Sequence, residues 1–592
     1  MNTIANFDPL LFKCPKGTVA KGTKVTFNLE VSEDCSPNEV YLMIKDDAAS
    51  EYTYEKMQKN GKYYQKNLKF SKSGHFWYNF KLDFNNFSKY VSKTYNTYSE
   101  VLDYKGEDFL QLVTEEEYVC TDSMQGGIIY QIFVDRFCKV GEVKPRRPLV
   151  LRKDWGGKIK KNTTDPILIN EEVFGGNFKG ITSKLDYLEA LGVTVIYMCP
   201  ISEAYSNHKY DTANYMNIDD MFGSEADFKE LVDKAKQKGI QIVIDGVYNH
   251  TGSDSIYFNK KSRYKEIGAY QSKDSKYYKW YDFIDYPNVY ESWWGIDTLP
   301  RVRGDSTEFH DYIAGDGGVI EKFMKFGIGG VRLDVVDELS NEFVNKISKK
   351  VKEFGKDKVI MGEVWEDAGT KIAYDYRRKY FVQNQLNSVM NYPIKESLLK
   401  YIRTGDSYDL VSTIRMLQNN YPKVVQDNLM NSLTTHDTVR FRSELETIAN
   451  GNKSVAEKLM KIASAISFTM SGVPSIFYGD EYGMENNDGS SRGCFDWKNY
   501  KNSIFDWYTK LSKIRKLKVM KDGELNILYS KNGKFIFERL SNDERVIVMT
   551  NLTDSNLNIK LNGDYTSFIS GKKIKSIKLK QYDIDIILEN KK

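Results

Sequence analysis

Four carboxylates stand at the ends of four predicted β-strands: Asp245, Asp334, Glu363 and Asp437. In a closed parallel barrel the carboxyl ends of all strands meet at one rim, where active sites are built. A single acidic residue at such a position is usually a helix cap or an ion-pair partner. Four converging carboxylates repel one another and lose hydration, which costs stability. Their gathering therefore predicts a catalytic rim.

Three of the five histidines adjoin this rim. His250 lies in DGVYNH after Asp245, His436 precedes Asp437, and His208 lies in SNHKYDTANY after the second predicted strand. Each could be a hydrogen-bonded structural histidine. Metal ligation is a second reading, but no HxxxH or HxH spacing supports it. Neutral donors to sugar hydroxyls fit the pattern better.

Paired carboxyl groups on facing barrel strands suit glycoside cleavage, in which one attacks the anomeric carbon and the other protonates the leaving oxygen. Arg332 precedes Asp334 by two residues, so both side chains share one face of the strand. We expect the arginine to keep Asp334 ionised and nucleophilic. A purely structural ion pair would make the same contact.

Eight apolar segments alternate with helical patterns and predict a (β/α)₈ barrel. They are residues 126–135, 193–200, 240–247, 327–336, 358–365, 386–392, 429–437 and 473–480. The link that follows Asn249 is about seventy residues long, far beyond an ordinary loop, and indicates a functional excursion domain over 251–317.

β-rich segments flank the predicted barrel. Alternating apolar residues predict an N-terminal β-sandwich over 1–122, a catalytic barrel over 123–515 and a C-terminal β-sandwich over 516–592. The N-terminal run Phe76–Trp77–Tyr78 is aromatic throughout. Because successive residues of a strand face opposite sides, one aromatic face must meet starch or a protein interface. We favour the interface.

Composition excludes several classes of protein. The 592 residues carry a net charge of +4 with 28% charged residues, which leaves no basic field for nucleic acid. Six scattered cysteines without a CxxC pair argue against a disulfide framework or a zinc site. With no signal-peptide pattern and no apolar run long enough for a bilayer, the sequence predicts a cytoplasmic protein without a membrane partner.

Seven segments in order resemble the α-amylase family, glycoside hydrolase family 13. They are YQIFVDRF (130–137), SNHKYDTANY (206–215), DGVYNH (245–250), GVRLDVVDE (330–338), GEVWED (362–367), TTHD (434–437) and GVPSIFYGDEYGM (472–484). The resemblance covers the whole predicted barrel. It implies a retaining hydrolase that cleaves α-1,4 bonds, and optionally α-1,6 bonds, of maltodextrins, cyclodextrins or related α-glucans.

The resemblance also implies roles for individual residues. Asp334 would be the nucleophile, Glu363 the general acid and base, and Asp437 the transition-state stabiliser. Asp245 would anchor the site, and Asn249 would tie the excursion to the barrel. The residues implied to contact sugar are His208, Tyr210 (by stacking), His250, Arg332, His436 and, just beyond the bond cut, Trp365.

Within the family, the chain looks most similar to the neopullulanase, cyclomaltodextrinase and maltogenic amylase group. That likeness, with Trp280, Trp293 and Trp294 in the excursion, implies a walled cleft for short or cyclic glucans. No cofactor is required by the implied chemistry. Calcium is in doubt because a basic segment, residues 145–157, replaces the Asn/Asp/Gly-rich run of several relatives.

Three questions stay open at this point. A 4-α-glucanotransferase or a glucan isomerase would use the same catalytic residues, whereas a non-catalytic α-glucan-binding protein would have lost them. A homodimer is compatible with the N-terminal sandwich serving as an interface. The α-glucan oligosaccharide is the only partner that the residues themselves indicate.

Overall fold

The structure is a computed structural model that describes residues 4–94, 98–146, 148–159 and 170–589. The chain forms two compact units. One consists of residues 1–119, 365–387 and 396–426, and the other of residues 120–364, 388–395 and 427–592.

The second unit contains the predicted barrel. Its eight strands are β1 (Ile129–Ile132), β2 (Val195–Met198), β3 (Gln241–Gly246), β4 (Gly330–Leu333), β5 (Val359–Gly362), β6 (Ser388–Val389), β7 (Met430–Ser432) and β8 (Val473–Phe477). They are parallel, in the order β6-β5-β4-β3-β2-β1-β8-β7, and a parallel bridge between Met390 and Met430 joins the two ends of the sheet. The (β/α)₈ prediction is therefore confirmed.

Apolar side chains from these strands fill the barrel interior, which is why the strands read as nearly continuous hydrophobic runs. Burial of apolar side chains from several strands makes the barrel a packed core. The residues of this core are Met124, Ile129, Val195, Tyr197, Val243, Val359, Met361, Met390, Tyr392, Met430 and Val473.

Helices surround and connect the strands. The helix Glu225–Gln237 shows how sequence sets its ends and its buried face. Ser224 and Asp227 form a capping box, and the apolar residues at helical spacing, Phe228, Leu231, Val232 and Ala235, are buried. The described helices are Val134–Phe137, Phe178–Thr182, Leu185–Ala190, Glu225–Gln237, Thr307–Ala314, Val319–Lys325, Asn341–Lys352, Tyr392–Thr404, Tyr408–Asn420, Lys423–Asp427, Phe441–Ile448, Lys453–Thr469, Ser503–Ile514 and Val519–Asp522.

The excursion after β3 has little regular structure and a core of aromatic rings. It contains short 3₁₀ turns at Tyr278–Trp280 and Trp293–Gly295 and a hairpin of Phe283–Asp285 with Val289–Tyr290. Trp280 is 4% exposed and packs against Tyr257 with ring centroids 5.1 Å apart. This tryptophan is therefore a core residue of the excursion.

The N-terminal part of the first unit has two sheets packed over one core, as the sequence predicted. Phe27 and Leu29 from one sheet meet Tyr78 and Phe80 from the other, all fully buried. The five-stranded sheet contains Ala5–Asn6, Lys13–Cys14, Lys24–Val31, Gln58–Asn60 and Tyr63–Lys69; the seven-stranded sheet contains Val19–Ala20, Glu39–Asp46, Thr53–Lys56, Gly74–Asp83, Ser88–Lys93, Ser99–Leu102 and Phe109–Thr114.

The aromatic run of this unit divides between two faces, as alternation requires. Tyr78 points into the sandwich core, whereas Trp77 lies on the other face. There the Trp77 indole donates a hydrogen bond to Asp47 (2.7 Å), and the Arg377 guanidinium lies 5.2 Å from the ring centroid. Arg377 also pairs with Asp47 at 2.6 Å. The segment 365–387 thus covers part of this face within the same unit.

The chain ends in an antiparallel sheet of six strands. Its buried residues include Ile547, Met549 and Ile587 on neighbouring strands. The strands are Glu524–Lys531, Lys534–Leu540, Arg545–Asn551, Leu557–Ser567, Lys573–Leu579 and Asp583–Glu589. Throughout the described ranges, none of the helices has the length and apolarity that crossing a membrane would need.

Candidate active site

One buried guanidinium links the carboxylates from three adjacent strand ends. Arg332, on β4, has no exposed surface, and its Nη1 lies 2.8 Å from Asp245 Oδ1 and 2.8 Å from Asp334 Oδ1. Its Nη2 lies 2.8 Å from Glu363 Oε2. Because β3, β4 and β5 are neighbours, the residues at their ends converge without help from any loop.

Burial and charge act in opposite directions on Asp334. Burial raises the pKa of Asp334 well above its usual range, and the Arg332 guanidinium lowers that pKa without overcoming burial. The expectation that Arg332 keeps Asp334 ionised left out the cost of removing a carboxylate from water, and it stays a prediction.

The backbone after Asp334 is strained in a way that serves Glu363. Val335 has φ 37°, a left-handed value that is rare for a β-branched residue. In this conformation its N–H donates a hydrogen bond to Glu363 Oε2 at 2.8 Å. Such outliers persist only where their surroundings enforce them, and they concentrate at functional sites.

Asp437 and His436, in the loop after β7, form a second charged pair. The His436 Nε2 lies 2.9 Å from Asp437 Oδ2. Burial lowers the pKa of His436, but the Asp437 carboxylate outweighs burial and raises that pKa to about 10. The Asp437 carboxylate thus favours the charged form of His436, whereas the sequence led us to expect a neutral donor. Arg492 lies 3.2 Å from Asp437 Oδ1 and adds a fixed positive charge.

Tyr210 connects the two charged groups. Its hydroxyl donates a hydrogen bond to Asp245 Oδ2 at 2.8 Å and also contacts His436 Nε2. The tyrosine and histidine rings are parallel, 3° apart in plane and 5.2 Å between centroids. The ring is half-buried. Stacking of Tyr210 on a sugar stays a prediction.

Burial favours the neutral form of His208 and His250, the form expected from the sequence. Burial lowers the pKa of His208 well below its usual range, and it lowers that of His250 to about 4. The Tyr210 N–H donates to His208 Nδ1 at 3.1 Å, which places the proton of neutral His208 on Nε2. His250 packs face to face with Trp293, with centroids 5.1 Å apart.

Asn249 lies where the chain leaves the barrel and enters the excursion. Its carbonyl accepts a hydrogen bond from the Val302 N–H at 2.9 Å, and His250 forms a β-bridge with Arg301. The Asn249 side chain is buried and lies 3.4 Å from His250 Nδ1. The bond to Val302 uses the backbone of Asn249, so the anchoring role implied for its side chain stays a prediction.

The tryptophans have different environments. Trp293 stacks on His250 and on Trp294, and Trp294 is 79% exposed with φ 52°. Trp365 is 44% exposed and belongs to the first unit. Its implied contact with substrate stays a prediction.

Three residues of the site escaped the sequence argument. Tyr197 donates to Asp245 Oδ2 at 2.7 Å, and the Gln131 amide nitrogen lies 2.8 Å from His436 Nδ1. Arg492 contacts both His436 and Asp437. Gln131 and Tyr197 lie on barrel strands with the inward period of their neighbours, a signal that could have identified them. Arg492 comes from the irregular segment after β8 and has no such signal.

Arginines of the basic segment 145–157 form ion pairs with neighbouring carboxylates. Arg147 lies outside the described residues. Arg146 pairs with Asp220 at 3.2 Å, and Arg152 pairs with Glu172 at 2.8 Å. The guanidinium groups therefore form ion pairs with carboxylates that could otherwise bind a hard cation. The described residues of this segment do not fit calcium. Nor does any group of three acidic, histidine or cysteine side chains in the described parts of the chain suit a metal ion.

Known proteins are similar to this chain in sequence and in fold. The chain is 30% identical to the amylopullulanase of Thermoanaerobacterium saccharolyticum over 95% of its length, but it spans only 49% of that relative. It is 33% identical to the cyclomaltodextrinase of Thermoanaerobacter pseudethanolicus, over 72% of this chain and 70% of the relative. A solved structure titled cyclomaltodextrinase matches 96% of this chain and 97% of its own with a TM-score of 0.72 and 22% identity, which speaks to fold alone.

The profile described as Alpha amylase, catalytic domain, matches residues 131–526. That range includes the second half of β1, all of β2 through β8 and every barrel-rim carboxylate described above. The chain belongs to the α-amylase family.

Proposed function

We propose that the protein is a retaining α-glucoside hydrolase that cleaves α-1,4 bonds, and also accepts α-1,6 bonds, in maltodextrins, cyclodextrins or related α-glucans. One observation carries the proposal: a single buried guanidinium, that of Arg332, contacts Asp334 and Glu363 at 2.8 Å each. Two carboxyl groups that contact one cation can hold a single proton between them. One is then an ionised nucleophile and the other a protonated acid, as glycoside cleavage requires.

The first step forms a bond between Asp334 and the anomeric carbon. The bond from that carbon to the leaving oxygen breaks, and the oxygen takes the proton of Glu363. Positive charge develops on the sugar ring in the transition state, which favours a carboxylate at Asp334 and the proton on Glu363. Arg332 contacts both carboxyl groups and stabilises whichever of them is ionised in each step.

The second step releases the glycosyl group. Glu363, now ionised, takes a proton from water while the water oxygen attacks the anomeric carbon from the face opposite Asp334. The bond to Asp334 breaks, and its carboxylate is restored. Two inversions at one carbon retain the α configuration.

The charged pair across the site supports binding of the sugar hydroxyls. Asp437 is exposed and pairs with both His436 and Arg492, so its carboxylate is fixed and able to accept hydrogen bonds from hydroxyls. His208 carries its proton on Nε2, which suits donation to a hydroxyl oxygen. Tyr210 presents one half-buried ring for stacking on the apolar sugar face.

We propose short or cyclic glucans as the preferred substrates. The stacked rings of His250, Trp293 and Trp294 form a continuous aromatic column from a buried site histidine to the exposed Trp294. Such a column stacks on glucose rings and limits the space for long chains. The cyclomaltodextrinase relative is named for a cyclic glucan, which supports the same preference.

We propose that the N-terminal sandwich shapes the protein or its assembly and does not bind granular starch. The Trp77 face is engaged by Arg377 and Asp47, so this ring is not free as a starch platform. The inactive full-length variant Glu363→Gln should show weak retention on granular starch. Strong retention that persists in saturating maltotriose would contradict the proposal.

All six cysteines are free thiols, and this supports a reducing compartment such as the cytoplasm.

The proposed activity is tested by product analysis with maltose, maltotriose, β-cyclodextrin, pullulan and soluble starch. Hydrolysis to shorter oligosaccharides is expected. Products longer than maltotriose from maltotriose alone would identify a glucanotransferase, and an absence of products from every substrate would indicate a binding protein.

A further inference from the structure

The loop that carries His208 and Tyr210 contains a buried lysine between them. The loop, residues 205–211, connects the antiparallel strands Ser202–Ala204 and Thr212–Ile218. Lys209 is 1% exposed, and its backbone has φ 66°, in the left-handed region that residues other than glycine rarely adopt. A conformation of this kind persists only where surrounding contacts enforce it.

The contact that enforces it is a buried ion pair. Lys209 Nζ lies 2.8 Å from Asp219 Oδ2, and both side chains are 1% exposed. The same Asp219 oxygen accepts the Ala204 N–H at 3.1 Å, while Oδ1 accepts the Met221 N–H at 3.1 Å. Asp219 therefore joins the ammonium to both ends of the hairpin. A buried charge that loses its partner is strongly unfavourable, so Lys209 has little freedom to point elsewhere.

The inward lysine sets the direction of its neighbours. The Lys209 N–H donates to Ser206 Oγ at 3.0 Å, and the Tyr210 N–H donates to His208 Nδ1 at 3.1 Å. Both bonds depend on the backbone turning at residue 209. The second fixes the proton of His208 on Nε2, and the same turn directs the Tyr210 hydroxyl to Asp245, 2.8 Å away.

We propose that Lys209 is a positioning residue for catalysis, and that its ion pair with Asp219 holds His208 and Tyr210 in the geometry that binds the sugar. The proposal rests on the proposed function for the roles of those two residues. It differs from a general stabilising role, because it requires that loss of the ammonium displaces Tyr210 and weakens turnover through it.

The experiment uses the full chain with Lys209→Met, which keeps the length of the stem and removes the charge. The matched control is Lys13→Met. Lys13 is a second buried lysine, 3% exposed, whose Nζ donates to the Gly17 carbonyl at 3.0 Å in the other unit. In the crystal structure of Lys209→Met, residue 209 should leave the left-handed region and the Tyr210 hydroxyl should lose its bond to Asp245.

Kinetics then separate positioning from stability. Assayed on maltotriose well below its Tm, Lys209→Met should lose about 10- to 100-fold in kcat/KM, the usual cost of a misplacement of about 1 Å. Lys13→Met should keep wild-type kcat/KM. If Lys209 acts through Tyr210, the double variant Lys209→Met/Tyr210→Phe should be little worse than the poorer single variant, whereas independent roles would multiply the losses.

Two results would overturn the proposal: a Lys209→Met structure with the Tyr210–Asp245 bond intact, or multiplying losses in the double variant. If Lys209→Met does not fold, Asp219→Asn removes the same pair while keeping a polar side chain, and the same displacement of Tyr210 is expected. A wild-type protein without activity on any α-glucan would refute the proposed function, and the crystallographic comparison would still decide the role of Lys209.

Discussion

Replacing Glu363 by glutamine removes one proton donor and leaves the shape of the site. Glu363 Oε2 accepts a hydrogen bond from the Val335 N–H at 2.8 Å and lies 2.8 Å from Arg332 Nη2. Both neighbours are donors, so the glutamine carbonyl oxygen will occupy that position. The amide nitrogen then takes the place of Oε1, where it can donate a hydrogen bond but cannot transfer a proton.

The expected loss follows from this geometry. General acid catalysis contributes about 10²- to 10⁴-fold, and Glu363 is proposed to act in both steps. We expect kcat on maltotriose to fall by at least about 10³-fold, which corresponds to about 4 kcal/mol of transition-state stabilisation. KM should stay level or fall, because the contacts that bind substrate in the ground state survive.

A substrate with a good leaving group isolates the two steps. A 4-nitrophenyl α-maltoside loses a phenolate that needs little protonation, so the first step should be largely spared and release of nitrophenol should show a burst. Azide needs no general base, and adding it should restore turnover with an α-glycosyl azide as product. The matched control Glu366→Gln changes a surface carboxylate that pairs with Lys371 and should leave activity unchanged.

Near-normal activity of Glu363→Gln on maltotriose would refute the acid/base role. A β-glycosyl azide would refute the role too, since that product requires direct displacement without a glycosyl-enzyme intermediate. Full loss of β-cyclodextrin binding by calorimetry would show that the amide had disturbed the site, contrary to the geometry described for Val335 and Arg332.

Three further predictions follow from the proposed function. The Asp334 and Glu363 carboxyl groups should act about 5–5.5 Å apart as a retaining pair, and proton NMR of the first product should show the α-anomer; initial release of the β-anomer would exclude the pair. Per unit mass, kcat/KM for β-cyclodextrin or maltotriose should exceed that for amylopectin, and a clear preference for amylopectin would indicate an open cleft. Because Arg146 and Arg152 already pair with the nearby carboxylates, dialysis against EDTA should leave activity and Tm unchanged, whereas a calcium-restored loss of either would reveal a cation site.

The sequence was sufficient for the barrel and its rim carboxylates because the relevant signals are local. Each strand is a short apolar run, and Asp245, Asp334 and Glu363 come at or directly after the end of one. The topology of a parallel barrel then brings adjacent strand ends together without further information. The side chains that contact Arg332 could therefore be predicted.

Other parts of the site depend on contacts between distant segments. Gln131 and His436 are 305 residues apart in the chain and meet only because β1, β8 and β7 are neighbours in the closed sheet. Arg492 belongs to an irregular segment whose path no periodicity reveals. The charge of His436 and the raised pKa of Asp334 depend on how deeply each group is buried and what it faces. None of this is encoded in local spacing.

The division of the chain between its two units has a consequence for its synthesis on the ribosome. The first unit begins at the N-terminus but needs residues 365–387 and 396–426 to be complete. At a synthesis rate of about 5–20 residues per second, roughly 15 to 60 seconds would pass between synthesis of the N-terminal strands and completion of those segments. During that interval the Trp77 face lacks Arg377. The nascent sandwich therefore keeps this face uncovered until the later segments of its own unit have been made, and it can be completed only after most of the barrel strands have been synthesised.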